Sequence, residues 1–126
     1  MDVRQISSLA LAYLGDANYE LRVRRYLISK NILKPKQLQR EAIKFVSANA
    51  QAGFVHALNE KSFFTEEEVD VILRGRNAKS RPPKNVDVAT YRYATGLESL
   101  FGYHCYLENE ERLSEIFEQI VLLYEE

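Results

Sequence analysis

The chain has 126 residues, 46% hydrophobic and 28% charged, the composition of an ordinary globular protein long enough to bury a core without staples. We read residues 1–126 as a single domain. One cysteine, Cys105, excludes an internal disulfide and a thiolate metal cluster. No apolar run approaches the roughly 18 residues that span a bilayer, and Asp2, Arg4 and Gln5 precede the first apolar turn, which is not a secretory layout. The expected location is the cytoplasm. The net charge of −1 hides strong segregation. Arg22, Arg24, Arg25, Lys30, Lys34, Lys36, Arg40 and Lys44 face only Glu41 as counter-charge in their block, and Arg74, Arg76, Lys79, Arg81, Lys84 and Arg92 face only Asp87. The tail from Glu108 onward is acidic. Basic blocks in a neutral chain permit a polyanion-binding face, although a solvated helix surface gives the same pattern.

The first element is a long helix predicted over 6–29, with Ile6, Leu9, Ala10, Tyr13, Leu14, Ala17, Leu21 and Ile28 at three- and four-residue spacing. Asn31 is its expected stop. Pro35 suits the first turn of a second helix carrying Leu38, Ala42, Ile43 and Phe45. Ser47 caps a third over 48–60, with Ala50, Phe54, Val55 and Leu58 on one face. Thr65-Glu-Glu-Glu68 is a capping box that opens a fourth helix through Val69, Ile72 and Leu73. Lys79-Ser-Arg-Pro-Pro-Lys-Asn85 is a basic loop, because its prolines cannot continue a helix. Asp87 is placed as the N-cap of a helix over 88–107, and a last helix runs over about 110–124 with Leu113, Ile116, Phe117, Ile120 and Leu123. No alternating strand of useful length occurs. The fold class is all-α.

Two acids break this pattern. Asp16 follows Gly15 in Leu11-Ala-Tyr-Leu-Gly-Asp-Ala-Asn-Tyr-Glu20, and Glu98 sits in Ala94-Thr-Gly-Leu-Glu-Ser-Leu-Phe-Gly102. Asp and Gly are both poor helix formers, so their adjacency points away from simple packing. Gly15, Gly96 and Gly102 remove side chains and let helices approach closely. Two inward carboxylates on such helices are unfavourable unless a proton or cation sits between them, and a hard cation such as Mg²⁺ suits oxygen ligands. A lone acid of this kind more often pairs with an arginine or caps a backbone than binds metal. His56 and His104 read as packed or edge histidines rather than ligands, and Cys105 as an inert thiol. Tyr91, Tyr93, Tyr103 and Tyr106 read as core rings with wet tips rather than base-stacking platforms.

The run from Leu11 to Glu20 resembles the ribonuclease III signature. Phe63-Phe-Thr-Glu-Glu-Glu68, Arg74-Gly-Arg-Asn-Ala-Lys-Ser80, Pro83-Lys-Asn85 and Thr90-Tyr-Arg-Tyr-Ala-Thr95 extend the resemblance, over nearly the whole chain, to the Mini-ribonuclease III branch. That branch has the catalytic domain without a double-stranded-RNA-binding domain. The resemblance implies a homodimeric bundle of about six to seven helices and a Mg²⁺-dependent endoribonuclease that cuts double-stranded RNA. It also implies trimming of large-subunit (23S) ribosomal RNA precursors, with a large-subunit ribosomal protein as a possible further partner. By position, Asp16 and Glu98 match the metal-site acids, and Glu20, one turn along, is a candidate support. Leu9, Ala12 and Thr95 stand where larger ribonuclease III enzymes carry further acids. This suggests one well-held metal in the free enzyme, any second arriving with RNA.

Without a separate binding domain, duplex affinity must come from the basic surface, since A-form RNA shows proteins mainly phosphates and 2′-hydroxyls. The first candidates are Arg74, Arg76, Asn77, Lys79, Arg81 and Lys84. Arg92 and the Arg22, Arg24, Arg25 group come second. Leu9 and Tyr13 are candidates for a dimer contact, with ordinary intrachain core as the equal alternative. Two other functions fit the same residues: a non-catalytic double-stranded-RNA-binding protein on this fold, and an all-α interaction module whose basic loop meets an acidic protein.

Overall fold

The computed structural model describes all 126 residues and contains six α-helices and no strand. They are α1 (Ser8–Ser29), α2 (Pro35–Val46), α3 (Ala48–Glu60), α4 (Glu66–Asn77), α5 (Val88–Tyr106) and α6 (Glu110–Glu125). The boundaries follow local chemistry. Ser7, Ser47, Thr65 and Asp87 each accept a hydrogen bond from a first-turn amide of the helix they open, satisfying donors that a helix start leaves unpaired. Pro35 occupies the first turn of α2. Asn31 takes a left-handed φ of 66° just beyond α1, a conformation asparagine tolerates better than most residues.

The first helix starts later than its periodicity predicts. Asp2 caps a short 3-10 turn over Val3–Gln5, and Ile6 is extended before Ser7. Ile6 still packs against the core, which is why it joins the apolar pattern without joining the helix.

The face α1 buries also differs from the predicted stripe. Leu11, Ala12, Gly15, Tyr19, Val23 and Leu27 are buried, whereas Leu9, Tyr13, Leu21 and Ile28 are exposed. This helix is apolar on two sides, so period alone cannot choose between them. The choice falls to the side with Ala12 and Gly15, where another backbone fits.

That backbone belongs to α5. From Ala94 through His104 every residue of α5 is buried except Glu98, which is half-buried, the signature of a helix surrounded by others. It packs chiefly on α1 and α4, with α3 and α6 completing its surroundings. A Cβ at Gly15 would collide with the carbonyl oxygen of Glu98, and one at Gly102 with the carbonyl oxygen of Leu11. On the opposite side, Gly96 and Gly75 bring α5 against α4, where a Cβ at Gly96 would lie 2.6 Å from the Ile72 carbonyl oxygen. Gly96 thus serves α4, and Gly15 with Gly102 serves α1. Ser99, fully buried, donates to the Ser8 carbonyl at 2.9 Å and fixes the register of the α1–α5 contact.

Around this axis lie Tyr19, Tyr26, Phe45, Phe101, Phe117 and Tyr124, in edge-on and stacked pairs. Each large apolar side chain removed from water contributes roughly 1.5–3 kcal/mol. Tyr19 brings a hydroxyl inside and satisfies it by donating to the Phe45 carbonyl at 2.7 Å.

Glu68 does more than close the capping box. It is 2% exposed, and both its oxygens accept from Arg112, at 2.6 and 2.8 Å. His104 Nε2 lies 2.7 Å from the same carboxylate. Helices α4, α5 and α6 are joined there. Burial alone would push the Glu68 carboxyl up, but hydrogen bonds from Arg112, His104 and the Thr65 amide hold it well below the usual carboxylate range. Its contribution to stability is therefore complete above pH 4.5 or so, the usual glutamate value, and fades as the pH falls below it. Glu68→Ala leaves Arg112 without its buried partner and is expected to lower stability by about 3–5 kcal/mol near neutrality. In urea titrations, the gap between wild type and variant should shrink as the pH drops from 5 towards 3; a gap constant with pH would refute this assignment.

Candidate functional site

The α1–α5 approach brings the two odd acids together. Gly15 packs against the backbone of Glu98 itself, so the side chains of Asp16 and Glu98 emerge beside each other at the edge of the contact. Their carboxyl groups are within hydrogen-bond reach. Asp16 is exposed and Glu98 half-buried; Asp16 thus stands at the rim of the packed face and not inside it. Burial, and then the bonded and charged Asp16, push the Glu98 carboxyl up to about 8, with Glu20 adding a smaller push and Gln51 opposing it. Two carboxylates this close resist simultaneous ionisation.

Glu20 is near enough to be felt electrostatically, but its carboxylate is engaged by Arg24 at 3.2 Å. No group of three or more His, Cys, Asp or Glu side chains forms a metal-ligand cluster. Thr95, one turn before Glu98, donates its hydroxyl to the Tyr91 carbonyl of its own helix at 3.1 Å. Ala12 is buried in the α1–α5 contact. The site's acids are therefore a pair.

Gln51 is the residue that the sequence did not single out. It lies in the first turn of α3, 3% exposed, and its side chain reaches Glu98. A signal was present: Gln51 continues the inward stripe of Phe54, Val55 and Leu58, and a glutamine on such a stripe needs internal partners.

The basic residues separate by what holds them. Arg74 pairs with Asp70 at 3.4 Å. Arg76 donates to the Tyr93 hydroxyl at 2.9 Å and to Asn77 at 3.1 Å, with its guanidinium over the Tyr93 ring. His56 meets the same ring edge-on, a partner consistent with an edge histidine. Lys79, Arg81 and Lys84 are exposed on the loop between α4 and α5 and make no ion pair. Arg92 is half-buried, with its Nε unpartnered. Of the second group, Arg22 is taken up by Glu110 at 2.6 Å and by Asn18 at 2.9 Å, and Arg24 by Glu20; only Arg25 makes no ion pair. His104 is committed to Glu68, and Cys105 is a partly buried free thiol.

Leu9 and Tyr13 are 42% and 85% exposed, so intrachain core does not account for them. No helix is long and apolar enough to cross a membrane.

Comparison with known proteins fits this geometry. The ribonuclease III domain model matches residues 9–118, which include both acids. The chain is 50% identical over 116 residues to the Mini-ribonuclease 3 of Enterococcus faecalis, covering 91% of this chain and 88% of that protein. It is 45% identical over 117 residues to the Mini-ribonuclease 3 of Streptococcus pneumoniae, covering 92% and 91%. A crystal structure of a protein from Fusobacterium nucleatum superposes with a TM-score of 0.85 at 28% identity, covering 96% of this chain and 98% of the other. A carboxylate pair on two glycine-apposed helices, within a matched domain and among relatives of nearly the same length, places this chain in the ribonuclease III family of endoribonucleases.

Proposed function

We propose that the chain cuts double-stranded RNA with Asp16 and Glu98 as the acids that hold Mg²⁺. The observation that carries this reading is the contact between the two carboxyl groups, with Glu98 pushed up to about 8. The residues fit a hard divalent cation. Both side chains offer oxygen, and the pair is short of positive charge. When bound, such a cation neutralises charge on a phosphate and lowers the pKa of a water. The protein's share is to hold both carboxylates ready on rigid helices, so that none of that arrangement has to be made as the RNA arrives.

Duplex binding falls to Lys79, Arg81 and Lys84, whose charges no acid of the chain neutralises, with Arg76, Asn77 and Arg92 beside them at the α4 end and on α5. Arg74 contributes after release from Asp70, an exposed pair worth little. The exposed Leu9 and Tyr13, on the helix that carries Asp16, support a contact with a second copy of the chain, so that two acid pairs meet one duplex. The Mini-ribonuclease III likeness supports large-subunit ribosomal RNA precursor as the substrate, residues 1–126 as one catalytic domain and a cytoplasmic setting. A ribosomal protein that shapes that RNA is a compatible partner.

The direct test is incubation of wild type and Asp16→Asn with a long RNA duplex in Mg²⁺ or EDTA, read on a gel. Wild type should cut only with Mg²⁺. Asp16→Asn should fold and bind duplex but not cut. Cleavage by the variant, or duplex binding without any Mg²⁺-dependent cutting by wild type, would overturn the assignment.

A second outcome concerns the raised Glu98 carboxyl, faced by Asp16, Glu20, Gln51 and Tyr19. In EDTA the folded chain retains a proton there that the unfolded chain loses near pH 4.5, so stability falls as the pH rises from 4.5 to about 8. Glu98→Gln mimics the protonated form. Its thermal midpoint should exceed that of wild type by a margin that grows between pH 5 and 8 and then levels off. Equal midpoints throughout would place Glu98 in water.

For the basic loop, Lys79→Ala and Arg81→Ala on the Asp16→Asn background should each weaken duplex binding across sequences. Each should also reduce the slope of log K against log salt by about one. An unchanged slope places that residue off the RNA.

A further inference from the structure

Gln51 reaches Glu98 but has no part in the function argued so far. Its Nε2 donates to the Val46 carbonyl at 3.0 Å, which fixes the orientation of the amide. Turning the amide over would set Oε1 against that carbonyl, two acceptors facing each other, so the assignment of nitrogen and oxygen is determined. The same side chain lies close enough to the Glu98 carboxyl to favour its ionised form. The amide oxygen is then left over: Oε1 is buried and has no partner.

An orphaned amide oxygen is destabilising by about 1–3 kcal/mol, and buried polar groups of this kind find a water or an ion when the protein offers nothing. Its side chain stands beside Glu98, and the Asp16–Glu98 pair has no proton to offer it once ionised. What satisfies all three groups together is a cation or the water it carries, and amide carbonyls are ordinary partners for hard divalent ions. An apolar residue of the same size would fill the space on the inward face of α3 without the unmet oxygen.

We propose that Gln51 is the third oxygen donor of the Asp16–Glu98 cation site, with Nε2 anchored on the Val46 carbonyl and Oε1 facing the divalent ion and its waters. The inference rests on the reading of Asp16 and Glu98 as the metal-holding pair. It supplies the site with a neutral ligand from a third helix, at a place in the chain where no acid stands.

Titration of the full-length protein with Mn²⁺, followed by electron paramagnetic resonance without RNA at pH 8, tests it. Wild type should bind Mn²⁺, Asp16→Asn should lose it, and Gln51→Leu should bind about 10–100-fold more weakly. The thermal midpoint of the metal-free leucine variant confirms folding. Should that variant fail to fold, Gln51→Glu decides, because a carboxylate facing the ion tightens Mn²⁺ by about tenfold, and no tightening refutes the proposal. Wild-type affinity in Gln51→Leu, with Mn²⁺ lost in Asp16→Asn, overturns the role of Gln51 alone. Equal Mn²⁺ binding by wild type and Asp16→Asn, or none by wild type, overturns the metal pair and this inference with it.

Discussion

The site depends on one contact, the approach of α1 to α5 at Gly15 and Gly102. Each glycine lies where a single added carbon would strike a backbone carbonyl of the other helix. The two backbones therefore touch directly, and residues next to the contact are carried in with them. Asp16 follows Gly15, and Glu98 is the residue whose carbonyl Gly15 meets. The carboxylates are neighbours because the backbones are. Long acidic side chains reaching across an ordinary helix spacing of 8–10 Å would have rotamers to lose, and rotamer freedom lost on each encounter weakens a metal site. Here that ordering is done by the fold.

The same contact sets an electrostatic tension. Close packing strips water from Glu98 and places Asp16 against it, and both effects oppose ionisation. The metal-free fold is accordingly less stable at the pH where the acids would be charged. Stability is recovered away from the site, in a pair of opposite sign. Glu68 is more deeply buried than Glu98, yet it is held ionised by Arg112 and His104. Two glutamates in one helical bundle thus sit at opposite ends of the carboxylate range. One is saturated with donors and joins three helices, and the other is short of them and faces a second acid, Asp16. Burial does not separate them; the supply of donors does.

Much of this architecture was legible in the sequence, because helix ends are written in short-range chemistry. Ser47, Thr65 and Asp87 cap the helices they were expected to cap, and Pro35 opens α2. What short-range chemistry could not decide was which side of α1 faces inward. Leu9, Tyr13 and Leu21 are as apolar as Leu11, Tyr19 and Leu27, and only the long-range fit of Gly15 to α5 breaks the tie. Asp16 and Glu98 were legible as anomalies, and their meeting follows from glycines readable beside them. Gln51 was not, because a glutamine is unremarked on a helix until its inward neighbours are known. Arg22 and Arg24 were misleading for the same reason: a positive charge in a sequence gives no notice of the acid that will occupy it.

That last point separates unpaired from paired positive charge in this chain. An arginine paired within its own protein must exchange one anion for another to hold a phosphate, so its net gain is small. Lys79, Arg81 and Lys84 sit on a loop with two prolines and make no ion pair, so no such exchange is needed. The prolines stiffen the segment and remove backbone donors that would otherwise fold it back into a helix. The loop joins the C-terminal end of α4 to α5, the helix that carries Glu98. The unpaired charge of the loop and one acid of the carboxylate pair are thus anchored to one central helix, so that the fold fixes the place of the first relative to the second.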